Sequence, residues 1–161
     1  MTFINGIGLP QLGTGAGFAL WAFRAIASGC KGCGVLQKGF QHAFADDSAE
    51  ALCDMTGFVR ILGTNGARRI TLSEAGCCRV TADELSIIAT LSAAQQQDSP
   101  LCQAHIHWLM AGKHSDVAFR KARRVSDWFT IVGLPINSPE IKLTRPWKPL
   151  NAPILNIVGN A

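Results

Sequence analysis

Between residues 52 and 62 the apolar positions fall into a helical rhythm. Leu52, Met55, Phe58, Val59 and Leu62 recur so that they share one face of a helix. Asp47 and Glu50 stand before that stripe at capping-box spacing, and Gly63 with Asn65-Gly66 closes it. An earlier apolar run predicts a helix from about Thr14 to Gly29, with the glycine just past its end. Thr81-Ala-Asp-Glu84 is a second capping box, and Leu85, Ile88 and Leu91 point inward from the helix it opens. Ser99 as cap and Pro100 in the first turn start another helix, running to Gly112. Cys102 and Ile106, with Leu101 and Trp108, make it apolar on nearly every side, which predicts a central, buried helix. Ser115 opens the last, which buries Ala118, Ala122, Val125, Phe129 and Val132 before Gly133.

Two segments break this rhythm. RRITLS, residues 68 to 73, alternates and is rich in β-formers, so it predicts a short strand; CCRV, 77 to 80, is its candidate hairpin partner. VLQKGFQHAF, residues 35 to 44, shows no clear preference. Beyond Leu134 five of the seven prolines cluster between Pro135 and Pro153, which predicts an extended tail. The expected fold is mainly α: a compact bundle of about five helices, a small β-hairpin near 68–80 and an extended Pro-rich C-terminal tail. Residues 1–134 form the single helical domain, and 135–161 pack over it or over a neighbouring subunit.

The stretch RRITLSEAGCCRVTADELSIIATL, and the paired helices after it that end in VGLPI, resemble a family of short alphaproteobacterial proteins of unknown function. The resemblance runs from about Cys53 to Leu134, roughly half the chain. It implies no activity, cofactor or site residue, and it leaves Cys30, Cys33 and the tail outside.

Composition sharpens the functional expectation. Of 161 residues 48% are hydrophobic and only 16% charged, against about 25% charged in an average soluble domain. A surface so poor in charge suits self-association, and a homodimer is expected. A protein partner for the same surface is a further candidate. No membrane partner is expected, because the most apolar stretch, 15 to 29, is too short for a span and carries Arg24 near its middle. The N-terminus lacks a signal-peptide pattern, so the expected location is cytoplasmic and the six cysteines are expected as reduced thiols or metal ligands. The net charge of +4 falls short of a dedicated nucleic-acid binder.

Candidate chemistry is sparse. Cys30-Lys-Gly-Cys33 has the spacing to grip a zinc ion, and Cys77 or Cys78 together with His105 or His107 are the candidates to complete four ligands. Cys77 and Cys78 are adjacent and point in different directions, so at most one joins a given ion. His105 and His107 lie about 200° apart on a helix and cannot share a face. The competing reading takes the cysteines as small buried hydrophobes and His105 as a core histidine. A thiol-redox role for the Cys30/Cys33 pair, or for Cys77-Cys78 beside Arg79, is a third. Such a pair normally follows a strand and opens a helix, whereas this one follows a helix.

Arg120, Lys121, Arg123 and Arg124 lie on the outward face of the last helix, where they fit either weak phosphate binding or a solvated surface with an Arg123–Asp127 pair. GTGAG, 13 to 17, lacks the preceding strand of a phosphate loop, and no catalytic motif is present. The leading expectation is a non-enzymatic interaction or regulatory module without cofactor, using an apolar surface on the first helix and the tail. The alternative is a zinc, iron or thiol-redox protein, and weak nucleic-acid binding through 120–124 comes third.

Overall fold

A computed structural model describes residues 3–30 and 32–139. It is mainly helical, as the periodicity requires. The helices are α1 (Gly13–Ala27), α2 (Gly34–Phe44), α3 (Ser48–Thr64), α4 (Ala82–Gln95), α5 (Ser99–Met110) and α6 (Ser115–Ile131). The five expected helices all form within a few residues of their anticipated ends, and α2 is added to them. On α2 only Leu36, Phe40 and Phe44 are buried, a stripe of every fourth residue on an otherwise polar helix, which is faint in the sequence.

The central helix is α4, not α5. Leu85, Ile87, Ile88, Thr90, Leu91 and Ala93 place buried side chains on every side of α4, with α1, α5 and α6 packed around it. α5 buries Cys102, Ile106, Leu109 and Met110 on one side but leaves Leu101 46% and Trp108 49% exposed. Aromatic rings close the other end of the core. Phe18 of α1 meets Phe40 and Phe44 of α2 and Phe129 of α6 with ring centroids 5.3 to 6.1 Å apart, and Phe23 meets Phe58 of α3 edge-on at 6.0 Å.

The helix starts follow backbone geometry more closely than residue type. Thr81 and Glu84 form the expected box: the Glu84 N–H donates to Thr81 Oγ1, and the Thr81 N–H donates to Glu84 Oε2. Asp47 precedes α3, but a 3-10 turn over Ala45–Asp47 leads into it. Its φ and ψ of −86° and 3° are not the extended values that let a side chain cap. Asp98 replaces Ser99 as the cap of α5, accepting from the Leu101 N–H at 3.1 Å. His114, in a left-handed conformation, stands before α6 and makes no side-chain cap.

The small antiparallel sheet forms with a different partner from the one expected. β2 (Arg79–Thr81) pairs with β1 (Phe3–Gly8), Phe3 opposite Thr81 and Gly8 opposite Arg79, with an irregularity between them. Residues 68–73 stay irregular because side chains of the α4 N-terminus take their ladder groups. The N–H groups of Thr71 and Ser73 donate to Asp83 Oδ2 and Glu84 Oε1, and Thr71 O accepts from Thr81 Oγ1.

After α6 the chain returns to the domain. Gln95 holds it at two points, donating to Leu134 O and accepting from the Ile136 N–H, and Ile136 is buried. Pro135 crosses α1 so closely that a Cβ on Gly15 would stand 2.1 Å from its carbonyl oxygen. The expected course of the tail over 140–161 lies outside the described residues.

Candidate functional site

Cys30 and Cys33 are joined to each other by a disulfide. The expectation of six reduced thiols is corrected for this pair, while Cys53, Cys77, Cys78 and Cys102 are free. Two glycines make the closure sterically feasible. Gly29 and Gly32 take φ of 90° and 122°, left-handed values open to glycine, and the chain folds back until the cysteine Cα atoms are 5.5 Å apart. Because α2 begins at Gly34 with Cys33 as its N-cap, the C-x-x-C opens a helix after all.

The candidate metal set is not assembled. Cys30 and Cys33 spend their sulfurs on each other, and among the described residues no three His, Cys, Asp or Glu side chains stand together to hold an ion. Cys77 and Cys78 lie in the turn before β2, where the Cys77 N–H donates to Glu74 O and Cys78 O accepts from the Leu9 N–H. Cys102 is fully buried, and burial pushes its thiol up to about 11, an unreactive state at neutral pH.

The turn of Cys77 and Cys78 is organised by a group that catalytic motifs do not reveal. Arg24 extends from α1 and is almost fully buried. Its Nε and Nη2 donate to the two Glu84 oxygens at 2.7 and 2.9 Å, while Nη1 donates to Cys77 O and Nη2 also to Arg79 O. Glu84 also accepts from the Ser73 and Thr81 N–H groups, so each of its oxygens takes two hydrogen bonds. Asp83, beside it, holds Arg68, whose guanidinium also stacks 4.1 Å from the Trp108 ring. In the sequence Arg24 is visible only as a charge inside an apolar helix.

The basic face of α6 is half neutralised. Lys121 Nζ and Arg124 Nε lie 3.6 and 3.3 Å from buried Asp54 of α3, which also accepts from the Trp128 indole N–H at 2.9 Å. Burial by itself raises the Asp54 carboxyl; the Trp128 hydrogen bond and the charges of Arg124 and Lys121 outweigh it and hold it below its ordinary value. Arg120 and Arg123 remain exposed. Arg123 lies over the Phe119 ring at 5.9 Å and makes no ion pair with Asp127, contrary to the helical-pair expectation.

α1, expected as part of an exposed apolar surface, is buried along Ala16, Ala19, Leu20, Phe23 and Ile26. An exposed apolar face lies on α5. Leu101, His105 and Trp108 succeed one another at helical spacing, and beside them a groove of about 480 Å³ runs between α4, α5 and Pro139. His105 sits half-buried in that groove, and burial lowers its basicity. No helix among the described residues is long and apolar enough to cross a membrane.

No protein-family model, curated protein or solved structure matches the chain.

Proposed function

We propose that this chain is a non-enzymatic helical interaction module that self-associates through the α4–α5 face around Trp108. The observation that carries the reading is the pair Leu101 and Trp108, about half exposed on one face of α5 beside an apolar groove. A second copy of the chain is the occupant the charges favour. The chain carries +4 overall, so two copies repel at most approaches. Around the groove Ala82, Leu85, Ser86, Ala89, His105 and Pro139 carry no charge while His105 is neutral, and the cation stacked on Trp108, Arg68, is paired with Asp83, so identical faces meet there with little repulsion across a twofold axis.

Sedimentation velocity on the full chain tests this. The wild type sediments as a dimer, and Leu101→Lys, which alters an exposed side chain, gives a folded monomer. A monomeric wild type overturns the reading, as does a Leu101→Lys variant that stays dimeric. A chain ending at Pro139 that dimerises when the full chain does not would assign the face to residues 140–161 instead.

The Cys30–Cys33 bond supports a second reading, a thiol–disulfide exchanger. An external dithiol delivers two electrons and two protons, its own sulfurs become a disulfide, and Cys30 and Cys33 become thiols. Cys33 stands as the N-cap of α2, the position just ahead of its first turn. Equilibration with dithiothreitol, followed by mass spectrometry of alkylated protein, reads the exchange. A bond unreduced by excess dithiothreitol in the folded protein counts against this role.

A further inference from the structure

A cleft of the described structure lies away from the α5 face, between the C-terminal ends of α1 and α3 and the irregular segment 66–72. Its volume is about 670 Å³, within the range of pockets that enclose small organic molecules. The floor is apolar: Phe23 and Ile26 from α1, Val59 and Leu62 from α3, and Leu72. Among the described residues no Asp or Glu lines it, whereas Arg60, Arg68 and Arg69 all do.

The three arginines are not equivalent. Arg68 is committed to Asp83, to the carbonyls of Trp108 and Arg69 and to the Trp108 ring. Arg60 and Arg69 are exposed, and their guanidinium groups make no hydrogen bond or ion pair with any described residue. The last carbonyls of α1 do not compete for these cations. Those of Arg24, Ala25 and Ile26 already accept from the N–H groups of Ser28, Cys30 and Gly29. The site therefore combines an apolar floor with two forked donors at its rim, and among the described residues no carboxylate to occupy them.

We propose that this cleft binds an amphiphilic anion, an acyl chain or comparable apolar body ending in a carboxylate or phosphate. The apolar body lies against Phe23, Ile26, Val59 and Leu62, and Arg60 and Arg69 take the anionic head through charge-assisted hydrogen bonds. Neither the self-association nor the disulfide reading is needed for this site.

Isothermal titration calorimetry of the full chain with decanoate, decyl phosphate and decanol tests it. One equivalent of either anion binds, and decanol binds at least about tenfold more weakly. Arg60→Gln combined with Arg69→Gln reduces anion affinity at least about tenfold and leaves decanol unchanged. Both substitutions are at exposed positions, and an unaltered melting temperature confirms that the fold persists. Val59→Trp, which fills the floor, weakens all three probes. Equal affinity for decanoate and decanol, an unchanged double variant, or no saturable binding of either anion overturns the proposal.

Discussion

Arg24 is a charge in the middle of an apolar helix, and that position has a single physical resolution: a buried partner that satisfies it. Glu84 is that partner, and the pair fastens α1 to the turn of Cys77 and Cys78. Removing one member leaves the other charged and buried, which typically costs about 3–5 kcal/mol. Arg24→Met is therefore expected to lower the unfolding free energy by that amount in urea titrations. A loss below about 1 kcal/mol would show that the turn is held by its apolar contacts instead.

Asp54 is the second residue to test. Its carboxyl is held below its ordinary value of 3.8, so its contribution to stability is fully present above that value and is lost as pH falls through the lowered one. Asp54→Asn should cost about 1–3 kcal/mol at pH 7, with the gap to wild type closing progressively below about pH 4. A gap independent of pH between 7 and 3 would mean that shape, not charge, governs the site.

At the scale of elements, legibility followed the strength of the periodic signal. α3, α4 and α6 carry regular stripes, and the T-A-D-E box of α4 forms as written, since residue type and spacing specify both of its hydrogen bonds. α2 was obscure because three buried residues on an otherwise polar helix make a weak pattern. The strand at 68–73 failed because local β-preference yielded to carboxylates that reach the same N–H groups from α4. The central position of α4 was obscured because α5 is just as apolar in composition; which helix is enclosed depends on packing from outside it. The disulfide is marked in the sequence only by the glycines beside its cysteines, since C-x-x-C spacing suits a metal or a dithiol equally well.

One glycine gives an element-level prediction. Gly15→Ala drives a methyl group into the Pro135 carbonyl, and overpacking of this kind costs about 1–3 kcal/mol. Thermal unfolding should show the loss. An unchanged melting temperature would mean that residues 134–136 shift away from α1 without cost.

At the scale of the whole molecule, a mildly basic chain presents on α5 an apolar face whose nearest cation, Arg68 over Trp108, is paired with Asp83. Neither that face nor the cleft of Arg60 and Arg69 is marked by a sequence motif, because each collects residues from separate elements. His105 makes the α5 association sensitive to pH. Burial already lowers its basicity in the single chain, and an interface that encloses it further opposes protonation, so association is expected to weaken as pH falls through the lowered value. Ser86, Ala89, Leu101, Trp108, Asn137 and Ser138, which face it in the groove, carry no charge to stabilise the imidazolium. His105→Gln should remove this dependence between pH 7 and 5, and a dimer equally sensitive without His105 would place the titration elsewhere.

The most direct measurement is sedimentation velocity at neutral pH on wild type and Leu101→Lys. A dimer for the wild type and a folded monomer for the variant is the result expected of association through the α5 face. A monomeric wild type, or a variant that remains dimeric, contradicts it.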